Sequence, residues 1–310
     1  MLSRKLITVA VVLSFTFMAL PAAAQKKSQN FTLDEATAFF QAQDWKNAAL
    51  AFESVTAQDP KNGQAWFQLG NAHHRQKQHE QAIKAFMQAD ELQFAQGRSR
   101  YNIACGYAIE SNQDEALEWL TKAVEVGFNQ VQMLETDSDL ASLRNDTRFK
   151  AVLDVADRNA RPCEFSDKHR EFDFWIGEWD VFNPQGQKVG TNVVQKFING
   201  CVIYENWTGA GGGFGKSLNY YDPAAGKWRQ NWVGASGWIV SYEGEVKDGV
   251  MHYLGESILI NGSKQLARGT YTPSPDGSVR QLLEQSQDGG ATWFVTFDGT
   301  YVKKGSPADK

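Results

Sequence analysis

Two short stretches place polar groups among aromatic rings in a way that could hold a small molecule. In "CVIYENW", Cys201, Ile203, Glu205 and Trp207 share one side of an extended chain. In "KWRQNWV", Trp228, Gln230 and Trp232 do the same, because successive side chains of a strand point to opposite faces. If the tryptophan-bearing faces are interior, a carboxylate and an amide stand among indole rings. Burying a lone charge is costly, so an interior carboxylate needs a partner, and Arg268, Arg280 and Glu284 on later stretches are the candidates to meet Glu205 and Gln230. Such a set suits a pocket for a small, partly apolar ligand, with the rings supplying area and Glu205, Gln230 and the arginines supplying orientation. The same residues also fit a structural Arg–Glu network in a filled interior. A third reading makes the buried Glu, its pKa raised, a general base.

No Ser-His-Asp set, metal cluster or phosphate loop accompanies them, so no catalytic residue, metal or cofactor is assigned. "GAGGGFG" (Gly209 to Gly215) lacks the Lys-Ser/Thr that opens a helix after a nucleotide loop. It reads as a mobile loop at the pocket mouth. In "HHRQKQH", His73 and His79 are six apart and do not share a helix face, so metal binding is not expected. "SQDGGATW" (Ser286 to Trp293) reads Ser-x-Asp-x-Gly-x-Thr-Trp and resembles the Asp-box of sialidase-type propellers. A propeller enzyme would need several boxes, an Arg cluster and a Tyr-Glu pair. Here one box is explained as a turn: Asp288 accepts backbone N–H bonds, the glycines take positive φ and Trp293 packs over the last hairpin.

The elements that position these groups follow from patterning. The 310 residues allow two domains. Arg4 and Lys5 precede an apolar run, Leu6 to Leu20, and Ala22 and Ala24 fit cleavage before Gln25. Residues 1–24 thus read as a signal peptide, and the protein as exported, periplasmic or secreted. No later run of 18 apolar residues exists, so no membrane span is expected after cleavage. Losing Arg4 and Lys5 from the 31 basic residues leaves 29 against 36 acidic ones, a net charge of −7. That balance, without a Lys/Arg run, argues against nucleic acid and anionic membrane surfaces.

Residues 29–160 are helical in pattern and repeat every 34 residues. One copy has Trp66, Leu69, Gly70, Ala72, Ala82, Phe86 and Ala89; the next has Ile103, Ala104, Tyr107, Ala116, Leu120 and Ala123; the first has Ala36, Phe39, Ala48, Phe52, Val55 and Pro60. The period and pattern resemble the tetratricopeptide repeat (TPR), with Phe94 and Phe128 where Pro is usual and His73 where Tyr is usual. Small residues let two helices approach, and the large ones fill the adjacent space. Thr32 and Glu35 form a capping box. The open end of such a stack needs a cap, which Leu140, Leu143, Phe149, Val152 and Leu153 supply at helical spacing. The predicted TPR domain, with its C-terminal capping helices, covers 25–160. The resemblance implies a groove for a peptide or protein partner. The matching positions are Leu33 and Phe40, then Phe67, Asn71, His74 and Arg75, then Tyr101 and Cys105.

After "RNARPC" alternation replaces the helical period. Strands are predicted near 178–184, 188–198, 201–207, 214–222, 227–233, 238–246, 250–260, 264–273, 278–286 and 292–302, joined by turns such as "NPQG", "KDG" and "SPDG". Roughly ten consecutive antiparallel strands favour an up-and-down barrel. Gly177-Glu178-Trp179 after a short lead-in resembles the opening of a lipocalin, where the Trp plugs the closed end. The segment 161–304 is thus similar to an exported bacterial lipocalin/calycin-like domain family, with 305–310 as a disordered tail. Haem barrels, which use a late His, fit poorly, since the last His is His252. Export favours a disulfide, and three cysteines leave one over. Cys105 falls mid-helix in the third repeat where a small residue is usual, so Cys163 and Cys201 are the expected pair. Taken at face value, the chain is a non-catalytic binding protein, with a filled-barrel interaction scaffold or a barrel-pocket enzyme as alternatives.

Overall fold

The computed structural model describes residues 30–305. The expected signal peptide, and the expected tail beyond Gly305, lie outside the described residues. The chain divides into two compact units, the first ending at Phe94. That unit holds α1 (Leu33–Gln41), α2 (Trp45–Gln58), α3 (Gly63–Arg75) and α4 (His79–Glu91). The capping box is present: Glu35 N–H donates to Thr32 Oγ1 at 3.2 Å, and Thr32 N–H donates to Glu35 Oε2 at 2.8 Å. Asp44 and Asn62 cap α2 and α3 in turn. Ala36, Ala48, Ala65 and Ala72 are fully buried where helices meet. Gly70 lies against the Phe86 ring, which a Cβ there would approach to 2.6 Å. Phe94, at the position where Pro is usual, packs its Cβ over Gly63.

The second unit continues the pattern with α5 (Gln96–Ile109) and α6 (Gln113–Glu125), and Phe128 covers Gly97 as Phe94 covers Gly63. Then come α7 (Val131–Thr136), a 3₁₀ turn over Ser138–Leu143 and α8 (Thr147–Ala160). Leu140, Leu143, Phe149 and Val152 are buried together with Leu117, Leu120 and Val124, so this segment closes the apolar end of the third repeat as predicted. A four-residue helix, α9 (Pro162–Phe165), and two 3₁₀ turns lead to the strands.

Ten strands follow: β1 (Gly177–Phe182), β2 (Lys188–Phe197), β3 (Val202–Gly209), β4 (Phe214–Asp222), β5 (Lys227–Gly234), β6 (Ile239–Lys247), β7 (Val250–Ile258), β8 (Lys264–Pro273), β9 (Val279–Ser286) and β10 (Phe294–Lys303). Each pairs antiparallel with the next, and β1 pairs with β10, which closes the barrel. Closure removes the unpaired edges that an open meander would expose. One end is plugged. Phe172, Trp175 and Trp179 are fully buried, and Trp179 Nε1 donates to the Trp175 carbonyl at 3.0 Å. The Cys163–Cys201 disulfide, with a Cα separation of 5.0 Å, ties the lead-in to the start of β3. Cys105 is buried and unpaired. The "SQDGGATW" stretch closes the β9–β10 hairpin. Thr292 N–H and Oγ1 donate to Asp288, Gly289 and Gly290 have positive φ, and Trp293 Nε1 donates to the Gly290 carbonyl. Among the described residues no helix is long and apolar enough to cross a membrane.

Candidate functional site

Seven inward side chains on seven strands form one hydrogen-bonded ring across the barrel. Glu205 on β3 accepts from Asn192 Nδ2 on β2 at 2.7 Å and from Ser217 Oγ on β4 at 2.6 Å. Gln230 Nε2 on β5 reaches Ser217 Oγ at 3.4 Å and Tyr271 OH on β8 at 3.1 Å. Gln281 Nε2 on β9 donates to the same phenol at 2.7 Å. Tyr301 OH on β10 donates to Gln281 Oε1, and Asn192 Nδ2 lies 3.4 Å from Tyr301 OH, completing the circuit. Period-2 alternation faces these groups inward, and pairing sets Ser217 opposite Glu205 and Gln281 opposite Tyr271. Buried polar groups of this kind are stable only when mutually satisfied.

A cavity of about 190 Å³ opens on one side of this ring. Glu205, Gln230, Tyr271, Gln281 and Tyr301 contribute its polar part, and Trp207, Trp232, Trp238, Tyr242, Val240, Leu283 and Phe297 its walls. The indoles fit because glycines face them. A Cβ would stand 2.6 Å from Trp207 at Gly190, 2.2 Å from Trp232 at Gly215 and 2.2 Å from Trp238 at Gly234. Trp232 Nε1 is buried without a hydrogen-bond partner, which leaves one donor for a ligand oxygen. The "GAGGGFG" stretch joins β3 to β4.

The structure brings Glu205, Trp207, Gln230 and Trp232 together and separates the rest. Trp228 shares the inward face but sits in the plugged end against Phe172 and Tyr221, away from the cavity lining. Arg268, Arg280 and Glu284 were expected inside and are instead on the outer wall. Arg268 pairs with Glu284 at 2.7 Å and covers Trp293, and Arg280 pairs with Asp298 at 2.8 Å. The reason is parity: Tyr271 and Gln281 face inward, and each arginine is an odd number of residues away. Glu205 therefore meets no guanidinium. It is 3% exposed, and burial pushes its carboxyl up from 4.5 to about 7, against the opposing pull of the Ser217 and Asn192 hydrogen bonds. The phenols of Tyr253, Tyr271 and Tyr301 are pushed well above their ordinary value, by burial first and by the Glu205 charge second. Among the described residues no Lys, Arg or His lines the cavity. Asn192, Ser217, Tyr271, Gln281, Tyr301 and Trp238 were not picked out by the sequence motifs. Their signal is the same alternation, carried from Glu205 across paired strands.

In the first unit, α3 presents two faces. Phe67 packs on Phe86 and Phe94, Asn71 Nδ2 donates to Gln68 at 3.1 Å, His74 meets the His79 ring, and exposed Arg75 lies 5.8 Å over Trp45. Phe40 on α1 packs against Trp45 and Phe52. The other face, with Trp66, Leu69 and His73, lines a depression of about 680 Å³ with residues of α2 and α4. Tyr101, a groove position by the repeat pattern, lies in the second unit. It is 4% exposed, stacks on Phe128 and donates its OH to Asp137. His73 is a packed residue, its ring 2.7 Å from Gln78 Oε1.

Residues 33–98 match a tetratricopeptide-repeat family model. The sequence matches no curated protein. Among solved structures the chain is similar to the type III secretion chaperone SycD of Yersinia enterocolitica in complex with a peptide of the translocator YopD, at 18% identity and a TM-score of 0.31, over 40% of this chain and 87% of that one. It is also similar to the same translocator chaperone in two further structures. One gives 17% identity and a TM-score of 0.30, over 40% of this chain and 79% of that one. The other, an alternative dimer, gives 17% and 0.29, over 40% and 86%.

Proposed function

We propose that this is an exported, non-catalytic binding protein whose barrel holds a small, partly apolar ligand and whose helical repeats dock a peptide or protein partner. The observation that carries the barrel reading is the cavity itself, a tryptophan-walled space ending on a ring of polar groups. A filled interior would leave no such space. Its size exceeds the ~150 Å³ cavity known to accept benzene, so a one-ring molecule fits. Export is supported by the leader pattern of residues 1–24 and by the Cys163–Cys201 bridge, which favours an oxidising compartment. The Gly177-Glu178-Trp179 opening and the up-and-down closed meander support kinship with lipocalin-like exported domains. For the repeats, the match over 33–98 supports partner docking. Phe40, Phe67, Asn71, His74 and Arg75 are the residues to test there, since they mix apolar, amide and cationic groups on α1 and α3.

Native mass spectrometry of the purified protein tests the barrel directly, by looking for a co-purifying small molecule that Trp232→Ala no longer retains. Tryptophan emission that stays unchanged under saturating benzyl alcohol, together with an empty mass spectrum, would reject the pocket.

A further inference from the structure

Among the described residues, the barrel interior holds an ionisable carboxyl, Glu205, with no cationic partner. On its outer wall carboxylates meet cations, as Glu284 meets Arg268, Asp298 meets Arg280 and Asp222 meets Arg229. Glu205 alone among the cavity-lining residues is ionisable as an acid in the ordinary range, and among the described residues its donors are the amide of Asn192 and the hydroxyl of Ser217. The groups that feel its charge from β7, β8 and β10 are phenols, Tyr253, Tyr271 and Tyr301. Phenols held this high stay neutral and cannot balance it. Above Glu205 the walls are Trp207, Trp232, Trp238 and Phe297. Aromatic faces carry a negative quadrupole and attract cations, most strongly when water is excluded. An anionic ligand would be repelled by both features. A neutral one would leave the carboxylate uncompensated or require it to be protonated.

We propose, building on the ligand-binding reading of the barrel, that the pocket takes a small organic monocation, a one-ring or compact aliphatic amine whose ammonium group pairs with Glu205 and whose apolar body lies against the tryptophan rings. The ammonium donates to the carboxylate lone pairs left free by Asn192 and Ser217. Binding therefore requires Glu205 ionised, and the amine weakens as the carboxyl takes up its proton.

Isothermal titration of the full chain with benzylamine and with its neutral counterpart benzyl alcohol, at about pH 8 and about pH 5.5, decides this. Benzylamine is expected to bind about tenfold or more tighter than benzyl alcohol at the higher pH, and to lose about tenfold or more at the lower pH, while benzyl alcohol holds its affinity or gains as the carboxyl is protonated. Glu205→Gln is expected to abolish the amine preference and keep benzyl alcohol binding. Equal binding of the two probes, or an amine affinity that ignores pH, overturns the cation proposal and leaves the ligand-binding reading standing. Failure of both probes to bind overturns both. The pH arm uses the unaltered protein and so stands even where the variant does not fold.

Discussion

Glu205 also leaves a signature on the empty protein. A carboxyl whose folded pKa is raised, here from 4.5 to about 7, binds more protons in the native than in the unfolded state between those two values. This group's contribution is therefore best below about pH 4.5, and stability falls as pH rises toward 7. The full difference is about 3 kcal/mol at one pKa unit per 1.36 kcal/mol. Urea midpoints measured from about pH 4.5 to about pH 7.5 should decline in the wild-type protein, and Glu205→Gln should remove most of that decline. A wild-type profile parallel to the variant's would show that Glu205 titrates normally. The same residue was legible in the sequence as an inward carboxylate among tryptophans, but its partners were not. Asn192 and Ser217 carry no marker of their own, and only strand pairing brings them to it.

At the level of elements, three glycines make the cavity by what they lack. Gly190, Gly215 and Gly234 each give a tryptophan ring the volume that a methyl group would occupy. Gly215→Ala should displace Trp232, cost about 1–3 kcal/mol as overpacking and weaken benzyl alcohol binding. Gly211→Ala, whose Cβ meets nothing within 4 Å on the same β3–β4 connection, is the control and should change neither. In the helical array the comparable notch is Gly70 under Phe86. Gly70→Ala should lower the thermal midpoint by an overpacking cost of about 1–3 kcal/mol, and unaltered melting would mean that α3 and α4 shift apart freely. The position of each strand was readable from alternation and turn residues, with ends within a few residues. The repeat helices follow their 34-residue spacing, since α4 begins at His79 and α6 at Gln113.

Across the whole molecule, one covalent link outlasts unfolding. The Cys163–Cys201 bridge spans 38 residues, and its loop closure contributes about 4 kcal/mol in the chain-entropy account. Thiol titration of the denatured, unreduced protein should find one free thiol, that of Cys105, and three would refute the bridge. Reduction should lower the denaturation midpoint of the strand-bearing unit. By itself the sequence determined the helical repeat, the number and order of strands, the cysteine pairing and the alternating faces, because each rests on local periodicity or on elimination within one chain; the plug tryptophan came from the resemblance of Gly177-Glu178-Trp179 to a lipocalin opening. Tertiary structure alone decided three things. It decided which face of β8 and β9 is inward, since alternation is the same under a flip, and those strands carry no tryptophan to mark it; Arg268 and Arg280 went outside for that reason. It decided depth: Trp228 and Trp232 share a face, yet Phe172 from the lead-in fills the space beside the first and leaves the second at the cavity. And it decided that Glu205 meets only neutral donors, because which residues face one another across a closed barrel depends on register and closure, which no single strand encodes.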